Sequence, residues 1–346
     1  MMRRRLLIGL VAGGLAFVTL VVVGVIVVIG ILDRHQALGE RHEATVVLTD
    51  AVADSRHAVD EADQVIAVAA DPLVSGDLVA AITARRDAAA AALNEAATLV
   101  ATHSESLDTE SIRALTGRLD AATADIGDDD ELILVAVADL LTATAAGAPA
   151  VESANFDAEN DPHLAFRAAT AELSDPPDDA LAESLATYLA AAHALEASHA
   201  EEIAEKAGPL LDRRLTVEAF ARSIAGGVLL DFDWAPTVNG YGLGGSYGGT
   251  SYWESAEGGY ATITLSDSVA TMWPGAGVQS LVAHEVGHAI LSKCISLFFE
   301  SEYADGGEEP WATAWAIGMG YTADGNGESI YGRPPDGLIE LSTQCR

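Results

Sequence analysis

The chain has 346 residues, half of them hydrophobic, which gives room for more than one core. Its formal charge of −34, from 52 acidic against 18 basic residues, repels phosphates and argues against nucleic acid or anionic lipid head groups as partners. We read the acidity as a solubility device and attach no substrate meaning to it.

The N-terminus reads as a membrane segment. Met1-Met2-Arg3-Arg4-Arg5 precedes a largely apolar run from Leu6 to Leu32, with no charge until Asp33. As a helix this run spans about 40 Å, more than the roughly 30 Å hydrocarbon core, so an anchor with some tilt is expected. A cleaved signal peptide has a shorter apolar region and a small-residue cleavage site, whereas this run ends in Val-Ile-Gly-Ile-Leu. Three arginines before the run place residues 1–5 in the cytoplasm, 6–32 across the membrane and the rest outside.

Residues 33–208 are rich in Ala, Asp and Glu and broken at Asp71-Pro72, Asp161-Pro162 and Asp175-Pro176-Pro177. Helical spacing recurs between the breaks: Val59, Ala62, Ile66 and Ala69 form one stripe, and similar patterns run over 78–100, 132–141 and 181–207. Helices with such small side chains are expected to pack together as a bundle or stalk. The histidines here (His35, His42, His57, His103, His163, His193, His199) lie on scattered faces and read as structural or exposed. The region can space a domain from the membrane, form a homo-oligomer or sense a ligand; no residue pattern decides among these.

Composition changes near residue 210. All five tryptophans and seven of the eight tyrosines lie beyond it, so 209–346 is expected to be a separate α+β domain. Residues 228–234 read as a buried strand, 241–249 as loops or a hairpin, and 260–265 as a second strand. Trp273-Pro274-Gly275-Ala276-Gly277 breaks the chain before a helix carrying His284-Glu285-Val286-Gly287-His288. Positions i and i+4 share a helix face, so both imidazoles can point at one zinc ion, about 2.0–2.1 Å from each nitrogen. Glu285, one step round the helix, can reach a water there. Gly287 costs the helix about 1 kcal/mol against Ala, which implies that something approaches its backbone closely.

These five residues resemble the H-E-x-x-H element of zinc metallopeptidases, the zincins. A zincin-like fold would use the strand at 260–265 as the rim that pairs with extended substrate. The chain departs from the metzincin pattern, with Cys294 where the third His would stand and Leu291 where Gly would stand. Cys294 has a partner for a disulfide in Cys345, the only other cysteine, in keeping with an exported domain.

A catalytic zinc needs a third protein ligand, and no other histidine lies beyond residue 200, which leaves a carboxylate. Glu308 and Glu309 are the candidates. The spacing resembles the gluzincins, whose second helix supplies a Glu and, four residues on, a polar group that supports a ligand His. Glu309 has Thr313 in that place and Glu308 has Ala312, so Glu309 is favoured. Unlike thermolysin-type enzymes, the chain has no later His for the oxyanion, which leaves Tyr331, Tyr321 or Arg333, with Tyr331 the first choice.

The expectation is thus an N-terminal transmembrane helix, an all-α stalk and a small zincin-like domain. The resemblance implies a Zn2+-dependent hydrolase with Glu285 as general base and a peptide or protein as substrate. The alternative is a non-catalytic surface sensor or adhesion protein with a degenerate zincin domain. Glu285 argues against it, because a structural zinc has no need of a base beside its ligands.

Overall fold

The computed structural model describes residues 2–102, 107–177 and 179–346, so His103 lies outside the described residues. Its contacts divide into two compact units, residues up to 144 with 176–185, and residues 145–175 with 186–346.

In the first unit, α1 (Met2–Val68), α2 (Gly76–Val100) and α3 (Thr109–Ala146) pack lengthwise. The buried positions step by threes and fours: Ala44, Leu48 and Val52 on α1, Ala96 and Leu99 on α2, Leu115, Leu119 and Ile126 on α3. Steps of this kind keep one seam facing its neighbours, so small residues suffice for a core. On the expected stripe Ala62 and Ala69 are buried, but Val65 rather than Ile66 is the fully buried side chain between them. Arg113 pairs with Asp33 at 2.5 Å and Arg34 donates to the Leu107 carbonyl at 2.6 Å, which fixes the register of α1 against α3. Along α1, residues from Leu20 to Leu32 leave large apolar side chains exposed. An apolar N-terminal helix of this length fits a membrane anchor or a signal sequence.

The second unit contains α4 (Ala148–Ala154), α5 (Asn160–Ser174), most of α6 (Leu181–Glu205) and α7 (Leu211–Ile224). Strands β1 (Leu229–Ala235), β2 (Gly249–Glu254) and β3 (Tyr260–Ser266) follow. Beyond them run α8 (Asp267–Met272), α9 (Ala276–Leu291), α10 (Ile295–Phe299), α11 (Glu308–Gly318), α12 (Glu328–Tyr331) and α13 (Asp336–Ser342). The sheet order is β1-β3-β2, with β1 parallel and β2 antiparallel to β3.

One expectation changes here. The strand at 260–265 is the central strand, with both edges already hydrogen-bonded, so it cannot pair with a substrate; β2, of which only Gly249 lay in the stretch read as loops or a hairpin, is the edge strand. The second unit also takes in helices that precede residue 208. The Asn160 amide on α5 donates to the Ala261 carbonyl of β3 at 3.1 Å. Fully buried Glu218 on α7 meets Lys206 and Arg222 at 3.3 Å each, and Arg222 holds Asp157 at 2.7 Å. Burying so many charges is tolerable only because each is paired, so the preceding helices and the sheet are bound into one body.

The core lies between the sheet and α9, and between α9 and α11. Phe232, Ile263, Val282, Val286, Trp311 and Trp315 are buried in it. Gly287 is the point where α9 and α11 touch: a Cβ there would stand 2.8 Å from the Ala312 carbonyl oxygen and 2.9 Å from its Cα. The Trp311 indole donates to the Gly287 carbonyl at 3.2 Å across the same contact. Cys294 and Cys345 stand at disulfide distance, with Cα atoms 6.1 Å apart, and the Trp315 indole donates to the Cys345 carbonyl at 3.0 Å.

Candidate metal centre

Helix α9 begins at Ala276, within the break expected from Trp273 to Gly277, and every residue from Val282 to Leu291 is buried. His284, Glu285 and His288 are therefore polar groups inside a core, and each needs a partner. Helix α11 supplies one. Gly307, with φ of +80°, turns the chain into the helix and puts Glu308 and Glu309 in its first turn, where the helix dipole favours carboxylates.

Glu309 Oε2 lies 3.1 Å from His284 Nε2 and 3.3 Å from His288 Nε2. Glu308 instead accepts a hydrogen bond from the Trp253 indole at 3.1 Å, so the geometry separates the two candidates and brings Glu309 to the histidines. The ligand atoms of His284, His288 and Glu309 all lie within 4.8 Å of one another. Tetrahedral ligands about 2.0–2.1 Å from zinc stand about 3.3 Å apart, so the donor set and its spacing fit that ion.

A ligand imidazole needs its other nitrogen held. His284 Nδ1 lies 3.1 Å from the Asn326 main-chain oxygen, which can only accept, so the contact orients the ring with Nε2 toward Glu309. Thr313 Oγ1, the supporting group expected four residues after Glu309, is 3.4 Å from the same Nδ1. The closer partner is a backbone carbonyl, which has no residue-type signature and was invisible in the sequence.

The electrostatics follow from burial. Burial raises the Glu285 carboxyl above its usual range, against the opposing pull of His284 and His288. Burial also resists ionisation of Glu309, but hydrogen bonds from the two histidines outweigh it and hold that carboxyl well below the ordinary range. For His288 the burial penalty is exceeded by Glu309 and Glu285, and its proton is held more tightly than usual.

Of the three oxyanion candidates only Tyr331 belongs to the centre. Its ring lies parallel to that of His284, centroids 5.9 Å apart, and its hydroxyl bonds to Glu309. Burial, with the Glu309 charge second, pushes its pKa up to about 12. Tyr321 packs edge-on against Phe220, and Arg333 pairs with Glu328 and Asp336, so neither reaches the histidines. A cleft of about 170 Å3 opens over His284 and Glu285, walled by Tyr241, Tyr247, Leu281, Ile330 and Tyr331. At Gly249, the first residue of β2, a Cβ would stand 2.7 Å from Glu285 Cγ and Oε1, so only glycine lets the edge strand lie this close to the carboxylate.

Tyr241, Tyr247, Gly249 and Trp253 were not singled out from sequence. Alternation of exposed Thr250, Tyr252 and Glu254 with half-buried Ser251 and Trp253 is the signal that marks β2 in hindsight. Comparison with protein-family models, with curated proteins and with solved structures finds no match to this chain.

Proposed function

We propose that the chain is a membrane-anchored, zinc-dependent metallopeptidase whose second unit faces outward from the membrane. The observation that carries the reading is the convergence of His284 Nε2, His288 Nε2 and Glu309 Oε2 beside a buried Glu285 at the floor of a cleft. Zinc bound by these three side chains supplies Lewis-acid polarisation of a carbonyl and lowers the pKa of water to about 7.

The chain's own groups account for the rest. Glu285, with its proton affinity raised by burial, takes a proton from water and returns it to the leaving amine. Tyr331, whose ring lies against His284, can turn its hydroxyl hydrogen from Glu309 toward the oxygen that gains charge. Strand β2 offers its outer edge to an extended peptide; among the described residues no strand pairs with that edge. The apolar N-terminal helix supports anchorage, and the three arginines before it support a cytoplasmic N-terminus.

Peptide hydrolysis by the full chain in detergent, compared with Glu285→Gln, tests the reading. The substitution keeps the shape and removes the base, and a fall of about 10²–10⁴-fold is expected. Equal hydrolysis by both, or none by either across a broad peptide library, refutes the proposal and favours the non-catalytic surface protein.

A further inference from the structure

Glu308 and Glu309 are neighbours on α11, yet only one of them meets the histidines. Adjacent residues of a helix point about 100° apart, so fixing the direction of one fixes the other. No side chain caps the helix start, and the Trp311 bond to the Gly287 carbonyl holds the turn only from the far side of Glu309. What holds Glu308 is Trp253, whose indole N–H donates to Glu308 Oε2 at 3.1 Å. Trp253 is itself half-buried and packed against the hydrophobic core, so it is a firm anchor.

We propose that Trp253 is a positioning residue for the metal centre: by holding Glu308 it sets the rotation of the first turn of α11 and so directs Glu309 at His284 and His288. The inference rests on the reading of those three residues as a zinc site. It gives β2 two contacts with the centre, since Gly249 lies against Glu285 at one end and Trp253 holds the ligand helix near the other. The strand that forms the cleft edge is therefore also the strand that orients a ligand.

The test is zinc affinity, measured on the full chain in detergent by competition with a chromophoric chelator, with unfolding of the metal-free proteins as control. Trp253→Phe keeps an aromatic ring, though a smaller one, and removes the donor; it is expected to weaken zinc binding about tenfold, the lower end for groups that orient a ligand. Glu308→Ala is expected to do the same, and the double variant no more than either alone. Glu308→Gln, whose amide oxygen accepts the same hydrogen bond, is expected to bind zinc within about twofold of the wild type. Wild-type affinity in Trp253→Phe, additive losses in the double variant, or a tenfold loss in Glu308→Gln each overturn the inference. Glu309→Ala separates it from the reading beneath: if that variant keeps wild-type affinity, the zinc site itself is refuted and the inference falls with it.

Discussion

Replacing Gly287 by Ala sets helix propensity against packing at the point where α9 and α11, the two helices of the candidate centre, touch. On propensity alone Ala gains about 1 kcal/mol in a helix interior. The new methyl would stand 2.8 Å from the Ala312 oxygen and 2.9 Å from its Cα, both backbone atoms that cannot rotate away. Reaching an ordinary separation of 3.4 Å requires α11 to move by about 0.6 Å. Overpacking of this kind costs about 1–3 kcal/mol, so the metal-free variant is expected to be about 0–2 kcal/mol less stable than the wild type. The metal should feel the shift more strongly. Glu309 lies three residues before Ala312 on the same helix, and ligand distances must hold to about 0.2 Å. Zinc affinity is therefore expected to fall by at least about tenfold. Denaturant unfolding with a chelator present gives the first quantity, and chelator competition gives the second. A variant about 1 kcal/mol more stable than the wild type, with unchanged zinc affinity, would refute the backbone contact and the placement of Glu309 drawn from it.

Asp231 gives a prediction in pH. Burial first, and the Glu202 charge second, raise its carboxyl to about 6 in the folded chain, against about 3.9 when unfolded. The native state then keeps a proton that the unfolded state releases, so this contribution is fully present below about pH 4 and is lost as pH rises to about 6. Asp231→Asn is expected to remove that slope and to stabilise the protein by about 2–3 kcal/mol at pH 7; superimposable stability–pH curves for the two proteins would contradict it. The two cysteines give another. A bridge between Cys294 and Cys345, 51 residues apart, constrains the unfolded chain by about 4 kcal/mol, and Cys345→Ser is expected to lose up to that amount in denaturant unfolding. Two free thiols by mass spectrometry of non-reduced protein from its native membrane would remove both the bridge and the argument for export.

What was legible in the sequence is what chemistry fixes by local spacing. Two histidines four apart share a helix face wherever the helix sits, and the start of α11 was marked by Gly306-Gly307 before Glu308-Glu309-Pro310. The elimination of histidine as third ligand rested on a count beyond residue 200, and the structure brings Glu309 rather than an earlier histidine to His284 and His288. The strand order was not legible, because β1 joins β3 in parallel across a connection that contains β2, and such pairing is a tertiary choice. Edge and centre exchanged roles for that reason. Tryptophan and tyrosine content marks where a core is aromatic, and it says nothing of which helices pack against that core. The preceding helices join the same body through Asn160 and the paired charges around Glu218, and these leave no trace in hydrophobic periodicity.

Glycine shows the same division within single residues. Gly287 was conspicuous because it interrupts an otherwise apolar helix, and the sequence supported the inference that something approaches it; only the fold shows that the neighbour is the backbone of the ligand helix. Gly249 was hidden in a glycine-rich stretch where one more glycine carries no signal, yet it meets the centre directly at Glu285. A missing side chain can be noticed in a sequence only against a pattern that demands one. The helix supplied that pattern and the loop before β2 did not, so the backbone approach that shapes the cleft had to be read from the structure.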